Sequence, residues 1–168
     1  MRARRAALGG LVTALALILS YVEAQFPVSV AVPGVKLGIA NLAVLFALYR
    51  LGSWHAAAVS GIRVLLVAVL FGSGASLLYS ACGAALSLLG MVLLRRWGKL
   101  GVLGVSVSGG ILHNLGQILA AVFLMSTPGI LGYFPVLLVS GTAAGAVIGL
   151  LGGILVRRIR LSGDGGEQ

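Results

Sequence analysis

Arg95-Arg96-Trp97-Gly98-Lys99 separates two long apolar stretches, 75–95 before it and 103–126 after it. Three cations in five residues belong outside hydrocarbon, whereas about 20 apolar residues suffice to cross it. Working outward, the same arrangement recurs. Ten of the twelve Lys and Arg fall into four clusters: Arg2, Arg4 and Arg5; Arg50; Arg95, Arg96 and Lys99; and Arg157, Arg158 and Arg160. Only Lys36 and Arg63 stand outside them. With six crossings, all four clusters fall on the cytoplasmic side, the positive-inside bias that sets orientation. The expected fold is all-α: a polytopic membrane protein with six transmembrane helices and cytoplasmic N- and C-termini. Its expected location is the cell (cytoplasmic) membrane, with lipid as a partner.

Composition agrees. The chain is 60% hydrophobic and 9% charged, against roughly 25% charged residues in soluble domains, and its mean hydropathy is +1.13. Six spans use about 120 residues, which leaves short loops and no room for a soluble catalytic domain. The net charge of +9 sits at helix ends, where anionic headgroups are the natural partners. A nucleic-acid site would need a basic groove or a stacking platform, so no nucleic-acid partner is expected. Cys82 is the single cysteine and has no intrachain partner. The N-terminal run ending at Val22-Glu23-Ala24 imitates a cleavable signal, but its removal would spoil the charge alternation, so it is read as the first span.

The spans are expected at 6–25, 37–50 (short), 53–71, 75–95, 103–126 and 135–158. Together they form one transmembrane domain over 1–160, followed by a disordered cytoplasmic tail over 161–168. Outer loops are placed at 26–36 and 126–134. Pro27, Pro33, Pro128 and Pro135 all fall in loops or at a helix start, where a missing N–H is cheap. Among 26 glycines, Gly141, Gly145, Gly149 and Gly153 form a ridge expected to pack internally. Ala6, Gly10 and Ala14 form a second ridge, which is either an internal contact or a partner face.

Polar residues inside the membrane are costly and usually face an interior cavity. The candidates are Glu23, Lys36, Asn41, Arg63, Tyr79 with Ser80, and the group His113, Asn114 and Gln117. Bland alternatives stand beside each. Glu23 and Arg63 could form a structural ion pair, Lys36 could snorkel to headgroups, and Tyr79 could be an interfacial aromatic. The His113 group could serve interhelical hydrogen bonding alone. Cations outnumber Glu23, which suits an acidic ligand. His55 and His113 lack thiol or carboxylate partners at metal-ligand spacing, so neither metal nor cofactor is expected. No phosphate-binding loop is present to energise transport.

The run Pro33-Gly34-Val35-Lys36-Leu37-Gly38-Ile39-Ala40-Asn41 resembles the motif of the Gx transporter family, also labelled heptaprenyl diphosphate synthase component I. Arg63, Leu78-Tyr79-Ser80 and Gly109 through Gln117 extend the resemblance over about 6–158. That family is similar to the substrate-binding S subunits of energy-coupling factor transporters. The resemblance implies a captured small-molecule substrate, and the residues expected to hold it are Lys36, Asn41, Arg63, Tyr79, His113, Asn114 and Gln117, with Glu23 orienting Lys36 or Arg63. It also implies docking of a transmembrane coupling subunit with ATPases on Ala6, Gly10 and Ala14. Entry of a ligand needs a moving loop, for which Pro33-Gly34 is the expected hinge. The synthase label can be tested chemically. Binding Mg²⁺-diphosphate requires clustered carboxylates, and the acidic residues are Glu23, Asp164 and Glu167 only. The chain is therefore expected not to be an enzyme. It is expected to be the binding subunit of an importer, with a non-catalytic accessory role in isoprenoid or quinone biosynthesis as the alternative.

Overall fold

The computed structural model describes residues 2–25, 38–72 and 74–159. Six α-helices run in order: α1 (Arg2–Gln25), α2 (Asn41–Arg50), α3 (Ser53–Phe71), α4 (Gly74–Trp97), α5 (Val102–Met125) and α6 (Phe134–Arg158). A 3-10 turn over Pro128–Tyr133 leads into α6. No strand occurs among the described residues. Five of the helices are long and apolar enough to cross a membrane. Their large apolar side chains, Val69 and Phe123 among them, point outward from the bundle, as lipid-facing residues must.

The helix ends follow local chemistry. Gly52 (φ +99°) precedes α3, and Gly98 (φ +73°) follows α4, a left-handed position that glycine occupies without a Cβ penalty. Pro135 lies in the first turn of α6, where no N–H is needed. The expected 126–134 loop is realised as the 3-10 turn, entered through left-handed Ser126. One boundary moves substantially. The second helix begins at Asn41 rather than 37, because Gly38 has φ +70° and the next three amide bonds are i→i+3 turns. Residues 26–37 and 160–168 lie outside the described residues, and with them the 26–36 loop, Lys36, the Pro33-Gly34 hinge and the tail.

The helices close a ring in the order α1, α3, α4, α5, α6, α2 and back to α1, with α2 also packed on α3. Ten residues of α2 rise about 15 Å, half of a roughly 30 Å hydrocarbon core. This helix fills one half of the ring. Ala43, Val44, Leu45, Ala47 and Leu48 are all buried, packed on Val12, Ala16, Val59, Val105 and Ile148. In the other half the ring stays hollow.

The basic clusters gather at the α2-filled end. Arg50 donates to the Val156 carbonyl at the end of α6, and Arg95 donates to Leu48 near the end of α2. Arg95 also lies over the Tyr49 ring, 5.0 Å from its centroid. Each cation thus meets carbonyls left over at a helix C-terminus. Gly9 approaches His55, which brings the start of α1 to the same end.

Glycines set the tightest seam. A Cβ on Gly110 would come 2.4 Å from the Gly141 carbonyl oxygen, and one on Gly145 would come 2.7 Å from Val107 Cα. With Gly149 against Leu103, these make α6 an internal ridge, as expected. Gly153 departs from it and faces open space, whereas Gly152 meets Leu45.

Candidate ligand-binding cavity

The hollow half of the ring holds a cavity of about 320 Å³ to which all six helices contribute. Its floor is Leu45, Met91 and Ile148, which belong to the apolar core around α2. Above the floor the walls are polar, with Ser87 and Ser106 low down and Arg63, Asn41, His113 and Asn114 on the sides. Glu23 and Ser20 line it near the end of α1. The cavity is deep because α2 is short, and it closes towards the basic end because α2 is apolar.

Glu23 Oε1 accepts the Gly38 N–H at 2.7 Å, linking the end of α1 to the turn that starts α2. Its carboxylate also attracts Arg63 electrostatically. Arg63 extends from α3 towards Asn41, with Nη2 3.5 Å from Oδ1. Its Nε is buried and has no hydrogen-bond partner among the described residues. A guanidinium beside a cavity is a ready fork for a carboxylate or phosphate.

Five of the expected site residues, Glu23, Asn41, Arg63, His113 and Asn114, are brought to this one cavity. Asn114 has a second task, since its Nδ2 donates to the Leu137 carbonyl at 2.6 Å and ties α5 to α6. Tyr79 and Gln117 are not brought into the lining. Gln117 sits in the α4–α5 seam, where a Cβ on Gly83 would come 2.8 Å from its Cγ. Lys36 lies outside the described residues. The serines Ser76, Ser80 and Ser87, with Met91, form one α4 stripe at spacings of four, seven and four. Serine is ordinary in apolar helices, so only that stripe could have signalled the wall. Among the described residues no group of three His, Cys, Asp or Glu comes together to hold a metal. Ala6, Gly10 and Ala14 are exposed on α1, and Gly10 has open space around a Cβ.

A closed helical ring with lipid-facing apolar sides and an interior polar cavity defines a multi-pass membrane protein. The model of the family described as heptaprenyl diphosphate synthase component I matches residues 12–155, and the chain belongs to that family. This is the Gx transporter-type family of the sequence resemblance. Comparison with curated proteins and with solved structures returned no match.

Proposed function

We propose that the chain is the substrate-binding membrane subunit of an energy-coupling-factor-like importer and captures a small acid-bearing solute without catalysing a reaction. The observation that carries this reading is the one-ended polar cavity with Arg63 on its wall. The basic clusters support a cytoplasmic placement of the α2-filled end, which turns the hollow end outward. The exposed ridge of Ala6, Gly10 and Ala14 on α1 is the face offered to a coupling subunit. ATP hydrolysis would come from that partner's ATPases.

The family's printed name supports a second reading, an accessory subunit of prenyl diphosphate synthesis. The cavity is at the small end of ligand sites, which span roughly 300–1,000 Å³, so it cannot enclose a heptaprenyl chain. Any accessory role would therefore work through a partner enzyme. Mild-detergent purification from native membranes, with mass spectrometry of co-purifying proteins and small molecules, separates the two readings. A coupling subunit with ATPases is expected. A prenyltransferase recovered without ATPases would sink the importer.

A further inference from the structure

The next inference rests on the capture reading and names the ligand class of the same cavity. Hydroxyls in apolar helices commonly fold back on the carbonyl one turn earlier, because an unpaired hydroxyl in apolar surroundings is costly. Thr13, Ser20 and Thr142 do this, donating to Gly9, Ala16 and Leu138 at 2.8–2.9 Å. Ser106 instead donates across to Gly145 at 2.8 Å. Ser80 and Ser87 make no hydrogen bond to any described residue, although both line the cavity. Ser87 is only 3% exposed and stands just above the apolar floor. Buried polar groups left unspent on the wall of a cavity are groups a ligand can satisfy.

Their placement gives the ligand a length and a polarity. Arg63 lies eight residues before the end of α3 and Ser80 six after the start of the antiparallel α4, so they are at similar depth. Ser87 is two turns further down the same face, about 10 Å deeper. Val64 and Val67, which also line the cavity, follow Arg63 on α3 and so lie on its mouth side. No Phe, Tyr or Trp lines the cavity among the described residues, so no aromatic face is offered to a planar ring.

The geometry points to a non-aromatic acid carrying a hydroxyl or carbonyl at its far end. The acid pairs with the Arg63 guanidinium, and the distal polar group is held by Ser87 above the floor of Leu45, Met91 and Ile148. Asn41 holds the guanidinium in place. Ser80 supplies a second hydroxyl near the acid.

The test uses the full chain in lipid nanodiscs and ligand-observed NMR titration, which reads millimolar binding. Four probes of similar size separate the determinants: 6-hydroxyhexanoate, hexanoate, hexane-1,6-diol and benzoate. 6-Hydroxyhexanoate is expected to bind roughly five-fold tighter than hexanoate, the worth of one hydrogen bond. Diol and benzoate are expected to bind weakest. Ser87→Ala should erase the difference between the two hexanoates with both still bound, a readout that loss of folding cannot mimic. Arg63→Gln should weaken both acids together. Equal binding of the two hexanoates with Arg63 dependence intact overturns the distal-group assignment and leaves the capture reading standing. Benzoate binding as well as 6-hydroxyhexanoate also overturns the assigned class. If no acid binds in an Arg63-dependent way, the capture reading fails as well.

Discussion

Glu23 and Gly38, fifteen residues apart in the chain, are joined by a 2.7 Å hydrogen bond from the Gly38 N–H to the Glu23 carboxylate. It fastens the end of α1 to a left-handed residue that no other side chain would favour, with φ +70°. The bond sits at the rim of the cavity, so the same contact shapes both the fold and the entrance.

Removing that carboxylate should loosen the rim. A hydrogen bond to a charged acceptor is worth about 1.5–3 kcal/mol. Glu23→Ala is expected to lose most of this in thermal unfolding of the purified protein, and Glu23→Gln, which keeps an acceptor oxygen, about half. Equal stability of both variants and the wild type would show that the bond carries no weight.

Arg63 should show a trade of stability for function. A charge within the membrane costs roughly 2.5–3.5 kcal/mol on insertion scales, and its Nε is without a protein partner among the described residues. Arg63→Gln is therefore expected to raise stability by on the order of 1 kcal/mol, the usual gain from relaxing a functional site, while acid binding is lost. A large drop in melting temperature would instead mark Arg63 as structural.

The α5–α6 seam should reject a single methyl group. Gly110→Ala puts a Cβ against the Gly141 carbonyl, an overpacking expected to cost about 1–3 kcal/mol. Gly10→Ala and Gly153→Ala meet open space and should be neutral or slightly stabilising, since glycine is about 1 kcal/mol poorer than alanine in a helix. Chemical unfolding of the three variants side by side checks the ordering. If Gly10→Ala leaves stability unchanged but abolishes co-purification of a partner, the α1 ridge is a docking face.

Topology can be read by labelling. In a Cys82→Ala background, Lys99→Cys should react with a membrane-impermeant maleimide only after cells are permeabilised, and Gly129→Cys should react in intact cells. The reverse pattern would place the cavity mouth on the cytoplasmic side and remove the basis for capture from outside.

Several features were legible in the sequence. The bounds of α3 and the end of α6 coincide with the expected spans to the residue, because glycine, proline and arginine punctuate apolar runs sharply. The spacing of Gly141, Gly145 and Gly149 marked a contact face, and the contact is internal as expected. The site was only partly readable. His113 and Gln117 share one helical stripe and both side chains meet Gly83 in the α4–α5 seam, yet only His113 also lines the cavity. Ser87, identical in type to serines that fold back on their own helix, is left unspent.

The sequence alone determined that this chain is helical, apolar on its outside, and basic at alternate loops, because bilayer thickness and the cost of buried charge act on each segment separately. Only the tertiary structure decided that α2 starts at Asn41 and fills just half of the ring, leaving about 320 Å³ open above it. Periodicity says which residues share a helix face. Which neighbour that face meets depends on how closely glycine seams let helices approach, and that is a property of pairs of segments rather than of either one.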